Sequence, residues 1–333
     1  MNMSQNHNHN RGQIERRRGG QQQVCVAVVV PVYNSAATLE ELVRRLKTSL
    51  ETFTEDYEII LVDDRGPQPV WPIIHAAGEA DTRVKGVRLS RNFGQHAAIT
   101  AGLNVACADW YVVMDCDLQD VPEDIPKLYQ HAVQGGFDSV VAMRDAQDVR
   151  KRRKLGSFLF NKSLEHLADI PASSKIGNFR IFNEPMARAF RMYPEKMRLF
   201  PALMSHLGFN VGQLTLVRPD RVEGKSSYTF KKLFQLAFDG IISNTIRPMY
   251  YLAGFGFFVA IFAIFVAFFF VYRKLVYGIE MEGWTSLMTA LMFMGGIQIF
   301  VISFVGIYVG KVFFEVKDRP VFIVSETRNV STV

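Results

Sequence analysis

The sequence predicts an α/β domain on a mainly parallel sheet, followed by a pair of membrane-spanning helices. Three observations carry this. Residues 24 to about 220 alternate strand and helix patterns, which in one domain means parallel strands covered by helices on both faces. Residues 249–272 and 284–310 contain no charged side chain, and each stretch exceeds the ~20 residues that cross a bilayer. Of the 333 residues, 49% are apolar and 21% charged. That is too apolar for a disordered chain and too little apolar for a protein of many spans.

The elements follow in order. Residues 24–30 form an unbroken, mostly β-branched run, as in a strand buried on both faces. Residues 35–53 place Leu39, Leu42, Val43, Leu46 and Leu50 on one helical stripe. Strands are expected at 57–62, 84–89, 110–114 and 137–142, and helices at 93–107 and from Pro122 onward. In such a sheet, ligands bind beyond the carboxyl ends of the strands. Residues 229–247 mix Lys231 and Lys232 with Leu233, Phe234, Leu236 and Phe238, a pattern expected of an amphipathic helix in the membrane interface.

The domain plan is therefore a disordered tail (1–23), a sheet domain (24–228), a juxtamembrane helix (229–247), two spans (248–311) and a C-terminal tail (312–333). The tail at 1–23 is polar and lacks the apolar core of a signal peptide. Tyr250, Tyr251, Tyr272, Trp284 and Tyr308 sit near the span ends, where aromatic rings favour the interface. Lys225, Lys231, Lys232 and Arg247 precede the first span, and Lys311, Lys317, Arg319 and Arg328 follow the second. Only Arg273 and Lys274 lie between. The positive-inside rule then places the sheet domain and both termini in the cytoplasm, on the inner face of the cytoplasmic membrane.

The net charge is +6, which suits anionic partners. The basic residues cluster beside the apolar stretches, so a phosphorylated substrate or a lipid surface is expected rather than nucleic acid. Cys25, Cys107 and Cys116 are too far apart for a Cys-x-x-Cys metal site and are expected to be reduced, buried thiols.

Four groups of residues stand where chemistry is expected. Asp63 and Asp64 end the second strand, where acids can bond to a base or ribose. Asp115, Asp117 and Gln119 follow the fourth strand. If the strand persists, Asp115 and Asp117 point the same way. Two carboxylates so close call for a hard cation, Mg²⁺ or Mn²⁺, which bridges a diphosphate. Arg91 and Gln95 lie in Ser-Arg-Asn-Phe-Gly-Gln (90–95), which opens a helix whose N-terminus favours anions. Finally Arg144, Arg152 and Arg153 lie in a basic run, with Arg180, Arg221 and Lys225 beyond it. Guanidinium forks suit phosphate. Neither Gly-x-Gly-x-x-Gly nor a P-loop is present, which disfavours a dehydrogenase and a P-loop NTPase.

Taken in order, these pieces resemble the family-2 glycosyltransferases that load a sugar onto a polyprenyl phosphate. The matching segments are Val-Val-Val-Pro-Val-Tyr-Asn-Ser (28–35), Val-Asp-Asp (62–64), Ser-Arg-Asn-Phe-Gly-Gln-His (90–96), Met-Asp-Cys-Asp-Leu-Gln-Asp-Val-Pro-Glu (114–123), Gly-Asn-Phe-Arg (177–180) and Gly-Lys-Ser-Ser-Tyr (224–228). The likeness covers about residues 24–325. It implies a GT-A fold and an inverting, metal-dependent transfer from a nucleotide-sugar, by family frequency UDP-glucose, to undecaprenyl phosphate. Pro31, Tyr33 and Asp63, with Asp64 adjacent, fall where the family holds the nucleotide, and Arg91 and Gln95 join them. Asp115, Asp117 and Gln119 fall on its metal and diphosphate motif. Arg144, Arg152, Arg153, Ser157, Arg180, Lys225 and Tyr228 fall on or near the acceptor-phosphate side, with Arg144 and Arg180 counted as catalytic beside Asp115 and Asp117. Homo-oligomers, tetramers included, occur in the family, and one is expected here.

Three departures mark this chain. The usual Asp-Asp-Gly-Ser becomes Asp-Asp-Arg-Gly at 63–66, followed by Pro67; Cys116 replaces a small residue between the acids; and Asn178 stands where some members have Asp. Two rival functions remain: transfer to another lipid acceptor, or a catalytically degenerate membrane scaffold. A processive polysaccharide synthase is disfavoured, because the chain lacks Gln-x-x-Arg-Trp and has too few spans.

Overall fold

The computed structural model describes residues 24–144, 176–193, 199–216, 247–277 and 283–330. The expected tail at 1–23 lies outside these residues. So does the expected interface helix, apart from Arg247. The chain divides into two units: the sheet domain, which includes residues 320–333, and a unit holding the long apolar helices.

In the sheet domain, β1 (Val26–Val32) is followed by α1 (Ala36–Leu50), β2 (Tyr57–Asp63), α2 (Trp71–Ala80), β3 (Val84–Leu89), α3 (Gln95–Val105) and β4 (Trp110–Val113). A 3₁₀ turn at Pro122–Asp124 leads into α4 (Ile125–Gly135), β5 (Ser139–Arg144) and β6 (Ile176–Asn183). Then come α5 (Glu184–Met192), α6 (Phe200–His206) and β7 (Val211–Leu216). The eight-stranded sheet runs β7-β5-β6-β4-β1-β2-β3-β8, where β8 is Val324–Arg328.

The centre of the sheet is parallel, as expected: β1 pairs with both β2 and β4, and β2 pairs with β3. Two strands depart from a purely parallel sheet. β6 runs antiparallel between β4 and β5, and β8 runs antiparallel against β3. The second span's helix continues to Val316, past the expected end at 310, and the segment expected as a plain tail at 312–333 supplies an edge strand.

Period-two alternation divides β1 between two cores. Val26, Val28, Val30 and Val32 pack with Leu39, Leu42 and Leu46 of α1 and Leu128 of α4. Ala27 and Val29 pack with Ala98 and Leu103 of α3, and with Phe190 and Phe200. All seven β1 residues are buried, which explains the unbroken apolar run. Gly102 lets α3 lie directly on β1, because a Cβ there would collide with Val29. None of the three cysteines forms a disulfide; Cys25 and Cys116 are buried as expected, whereas Cys107, also expected to be buried, is only half-buried.

In the other unit, α7 (Arg247–Tyr277) and α8 (Trp284–Val316) contain segments long and apolar enough to cross a membrane, Met249–Arg273 and Phe293–Phe313. A core helix would bury such a segment, but neither is buried inside the protein. Phe258, Phe262, Phe265 and Phe300 are exposed instead.

Candidate functional site

The carboxyl ends of β1, β2 and β4 open onto one edge of the sheet, where β1 pairs Val32 with Asp63 of β2. β4 stops at Val113, one residue before the expected end, so the strand does not persist through the acids, which lie in a loop. Leu118 takes a left-handed backbone, φ 59°. Burial still alternates along this loop: Asp115, Asp117 and Gln119 are half-buried, while Cys116, Leu118 and Asp120 are buried.

The buried members hold the loop. The Asp120 carboxylate accepts from the Asp115 N–H at 3.0 Å. Thr38 Oγ1 donates to the Cys116 carbonyl at 3.0 Å, and the Cys116 thiol donates to Ser35 Oγ at 3.1 Å. Burial pushes that thiol's pKa up, so Cys116 serves as a small apolar residue. The Gln119 N–H donates to Asp117 Oδ1 at 3.1 Å.

Two amides converge on one acid oxygen. Gln95 Nε2 donates to Asp115 Oδ1 at 2.6 Å, and Asn178 Nδ2 reaches the same oxygen at 3.3 Å. Gln95 opens α3, and Asn178 lies on β6. The β4–β6 register, Val113 opposite Arg180, continues to bring Asn178 beside Asp115. Asn178 therefore orients the acid by donating to it. An Asp at that position would repel it.

Asp63 and Asp64 are almost wholly buried, and burial raises the pKa of both. Asp64 accepts from the Phe93 and Gly94 N–H groups at 2.8 and 3.0 Å, which pins the 90–94 loop to the end of β2. Asp63 accepts from the Arg65 N–H at 2.9 Å and lies 3.2 Å from Arg88 Nε. Arg88 is a site neighbour that the sequence reading missed.

The altered loop after β2 now has a physical account. Arg65 takes φ 51°, the left-handed region where glycine is unstrained. Its Nε donates to the Leu89 carbonyl at 3.0 Å, an anchor that glycine lacks. At Gly66 a Cβ would stand 2.7 Å from the Asn34 nitrogen, so only glycine lets this loop abut the segment carrying Tyr33. Tyr33 is exposed, whereas Pro31 is buried within β1. Arg91 is exposed, with its guanidinium 4.5 Å from the centre of the Phe93 ring.

Arg180 is buried on β6. It donates one long bond, 3.4 Å, to the Gly177 carbonyl and sits 5.2 Å from the centre of the Phe200 ring. Its Nε has no hydrogen-bond partner. Burial lowers its pKa to about 10, so it remains cationic at neutral pH. A buried guanidinium with a spare donor is suited to an anion. Arg144 ends β5. Arg152, Arg153, Ser157, Lys225 and Tyr228 lie outside the described residues.

Among the described residues no three His, Cys, Asp or Glu side chains form a metal cluster. Asp115, Asp117 and Gln119 offer oxygen donors only. That set fits Mg²⁺ or Mn²⁺ held by one or two carboxylates, with substrate phosphates and water completing the shell.

Comparison with known proteins identifies the family. The family model for glycosyl transferase family 2 matches residues 27–190. An undecaprenyl-phosphate 4-deoxy-4-formamido-L-arabinose transferase of Shewanella sediminis is 31% identical, over 90% of this chain and 92% of its own. The SfII prophage-derived bactoprenol glucosyl transferase of Shigella flexneri is 30% identical, over 91% of this chain and 98% of its own. Among solved structures, glucosyl-3-phosphoglycerate synthase of Mycobacterium tuberculosis, in complex with Mn²⁺, UDP and its product, matches at a TM-score of 0.48 and 16% identity. That match covers 69% of this chain and 81% of the synthase chain. With relatives at this identity matched over nearly their whole length, the chain is a glycosyltransferase and belongs to glycosyl transferase family 2.

Proposed function

We propose that this enzyme transfers a sugar from a nucleotide-sugar to a polyprenyl phosphate, with inversion, at the cytoplasmic face of the membrane. The donor is UDP-linked, with glucose as the first sugar to test, and the acceptor is undecaprenyl phosphate. The observation that carries the reading is the half-buried Asp115–Asp117–Gln119 loop at the sheet's carboxyl edge, facing amide donors from Gln95 and Asn178. The named relatives and the two apolar helices supply the lipid acceptor.

In this reading Pro31, Tyr33, Asp63, Arg91 and Gln95 hold the donor, and Asp64 acts through the loop it pins. Asp115, Asp117 and Gln119 hold Mg²⁺ or Mn²⁺, which when bound neutralises charge on the leaving diphosphate. Arg144, Arg152, Arg153, Ser157, Arg180, Lys225 and Tyr228 draw in the acceptor phosphate. A phosphate oxygen attacks the anomeric carbon from the face opposite the leaving group. The new C–O bond forms as the bond to the diphosphate breaks. The acceptor is already an anion and needs no strong base, which is consistent with Asn178 in place of an acid. The residues' main task is to hold two anions in line.

The hairpin topology has support beyond charge bias. The chain leaves the sheet after Leu216 and returns to it at Val324. A chain that starts and ends in one sheet crosses a bilayer an even number of times. The segments on either side of the spans then share one face, which the flanking positive charge makes the cytoplasmic one, and the spans anchor the enzyme in the membrane that holds its acceptor. A homo-oligomer, tetrameric in form, completes the proposal.

The test is label transfer by purified full-length protein in detergent, with undecaprenyl phosphate, Mn²⁺ or Mg²⁺, and labelled UDP-glucose, UDP-N-acetylglucosamine or GDP-mannose. Label moving into the lipid phase with one donor, and abolished by EDTA, is the expected result. Transfer only to diacylglycerol or ceramide overturns the acceptor. Nucleotide binding with no transfer to any lipid favours the scaffold.

A further inference from the structure

Three charged residues lie side by side across three strands. Asp63 of β2 is in register with Arg88 of β3, and Arg88 with Glu326 of β8. Arg88 Nη1 donates to Glu326 Oε1 at 2.7 Å. On its other side, Arg88 Nε is 3.2 Å from Asp63 Oδ2 but is not aimed at it as a hydrogen bond. The Arg88 guanidinium sits 5.6 Å from the centre of the Trp71 ring.

β8 is firmly fixed. The Ser90 N–H donates to the Ile323 carbonyl at 2.8 Å, and Ser325 Oγ donates to the Arg88 carbonyl at 3.1 Å. Asn329 Nδ2 donates to the Gly78 and Val84 carbonyls at 2.6 and 2.9 Å. Glu326 is thus a carboxylate at a set place, supplied by β8.

We propose that Glu326 is a positioning residue for the nucleotide donor, acting through Arg88 on Asp63; this rests on Asp63 contacting the nucleotide. An arginine fork free to turn would close on the buried carboxylate and form two aligned bonds, the preferred geometry for that pair. Glu326 holds the fork the other way. Arg88 therefore balances the charge of Asp63 while leaving Oδ2 able to accept from the nucleotide. The side chains of Glu326 and Arg88 are 47% and 24% exposed, so the pair adds little to stability. Its effect falls on Asp63.

The experiment is calorimetric titration of full-length protein in detergent with UDP and with GDP, in the presence of Mn²⁺. It uses the wild type, Glu326→Gln, Arg88→Gln, the double variant and Asp63→Asn, with a melting curve for each. Glu326→Gln is expected to weaken binding about threefold, the size of one partly exposed ion pair, with an unchanged melting midpoint. In the Arg88→Gln background the same change is expected to add nothing, because no fork remains to turn. A purely structural role would lower the midpoint and persist in that background. Unchanged binding in Glu326→Gln, alongside weakened binding in Asp63→Asn, overturns the relay alone. Unchanged binding in Asp63→Asn, or no binding of either nucleotide, overturns the donor-site reading and the relay with it.

Discussion

Asp63 and Asp64 end β2 with both carboxylates almost wholly buried, whereas Asp115 and Asp117 follow β4 and stay half-buried. Both pairs leave a buried parallel strand at the same edge of the sheet. The first pair spends much of its bonding on the protein: Asp64 satisfies two backbone N–H groups, and Asp63 takes the Arg65 N–H beside Arg88. In the second pair the buried neighbours, Cys116 and Asp120, hold the loop, while half-buried Asp115 accepts from the side-chain amides of Gln95 and Asn178 and Asp117 from the Gln119 N–H. The difference teaches that acids of one residue type at one sheet edge divide by burial: Asp64 is committed to backbone N–H groups, whereas Asp115 is met by side-chain amides.

The comparison breaks most sharply at Asp117. Asp117→Ala is expected to cut sugar transfer by ~10²–10³-fold or more, the cost of losing one electrostatic contact to a developing charge. Its melting midpoint should hold. Label-transfer rates and a melting curve on the same preparation check both parts. Full, still metal-dependent activity would remove Asp117 from the metal site.

Asp64→Ala should do the opposite. It leaves the Phe93 N–H without its acceptor, while Gly94 keeps Asn92 at 2.9 Å. The expected cost is about 2 kcal/mol, seen as a midpoint lowered by roughly 4–8 °C. Asp64→Asn keeps one acceptor oxygen and should recover about half of the loss. An unchanged midpoint in Asp64→Ala would dissolve the distinction between the two pairs.

Asn178→Asp sharpens it from the other side. A third carboxylate beside Asp115 raises the local negative charge, so the divalent ion needed for half-maximal transfer should fall about threefold. A metal titration of activity reads this directly. The smallest effect is expected at Arg65. Arg65→Gly relieves a left-handed backbone but loses the bond to the Leu89 carbonyl. The two changes oppose each other at about 1 kcal/mol each, so the midpoint should move by no more than a few degrees.

The strands legible in the sequence are those buried on both faces. β1 and β2 declare themselves as apolar runs rich in β-branched residues, and α1 by the stripe from Leu39 to Leu50. β6 and β8 did not, because Ile-Gly-Asn-Phe-Arg-Ile-Phe-Asn and Val-Ser-Glu-Thr-Arg carry polar residues that an inserted strand or an edge tolerates. α2, Trp71–Ala80, was passed over between Pro67 and the third strand. At the site, Asp115 and Asp117 were legible because an apolar strand runs straight into them. Arg88 and the contact of Asn178 with Asp115 were not, since strand pairing distant in sequence brings each to its partner.

β8 also fixes when the β3 edge of the sheet is covered. Ser325 bonds to Arg88, 237 positions earlier in the chain. On the ribosome, β3 emerges long before its outer partner exists, and both apolar helices are synthesised in between. Until Val324–Arg328 is released, the nascent domain carries an open, pairing-competent edge. A chain stalled or clipped before Val324 would keep that edge permanently, and self-association during biosynthesis is its expected fate.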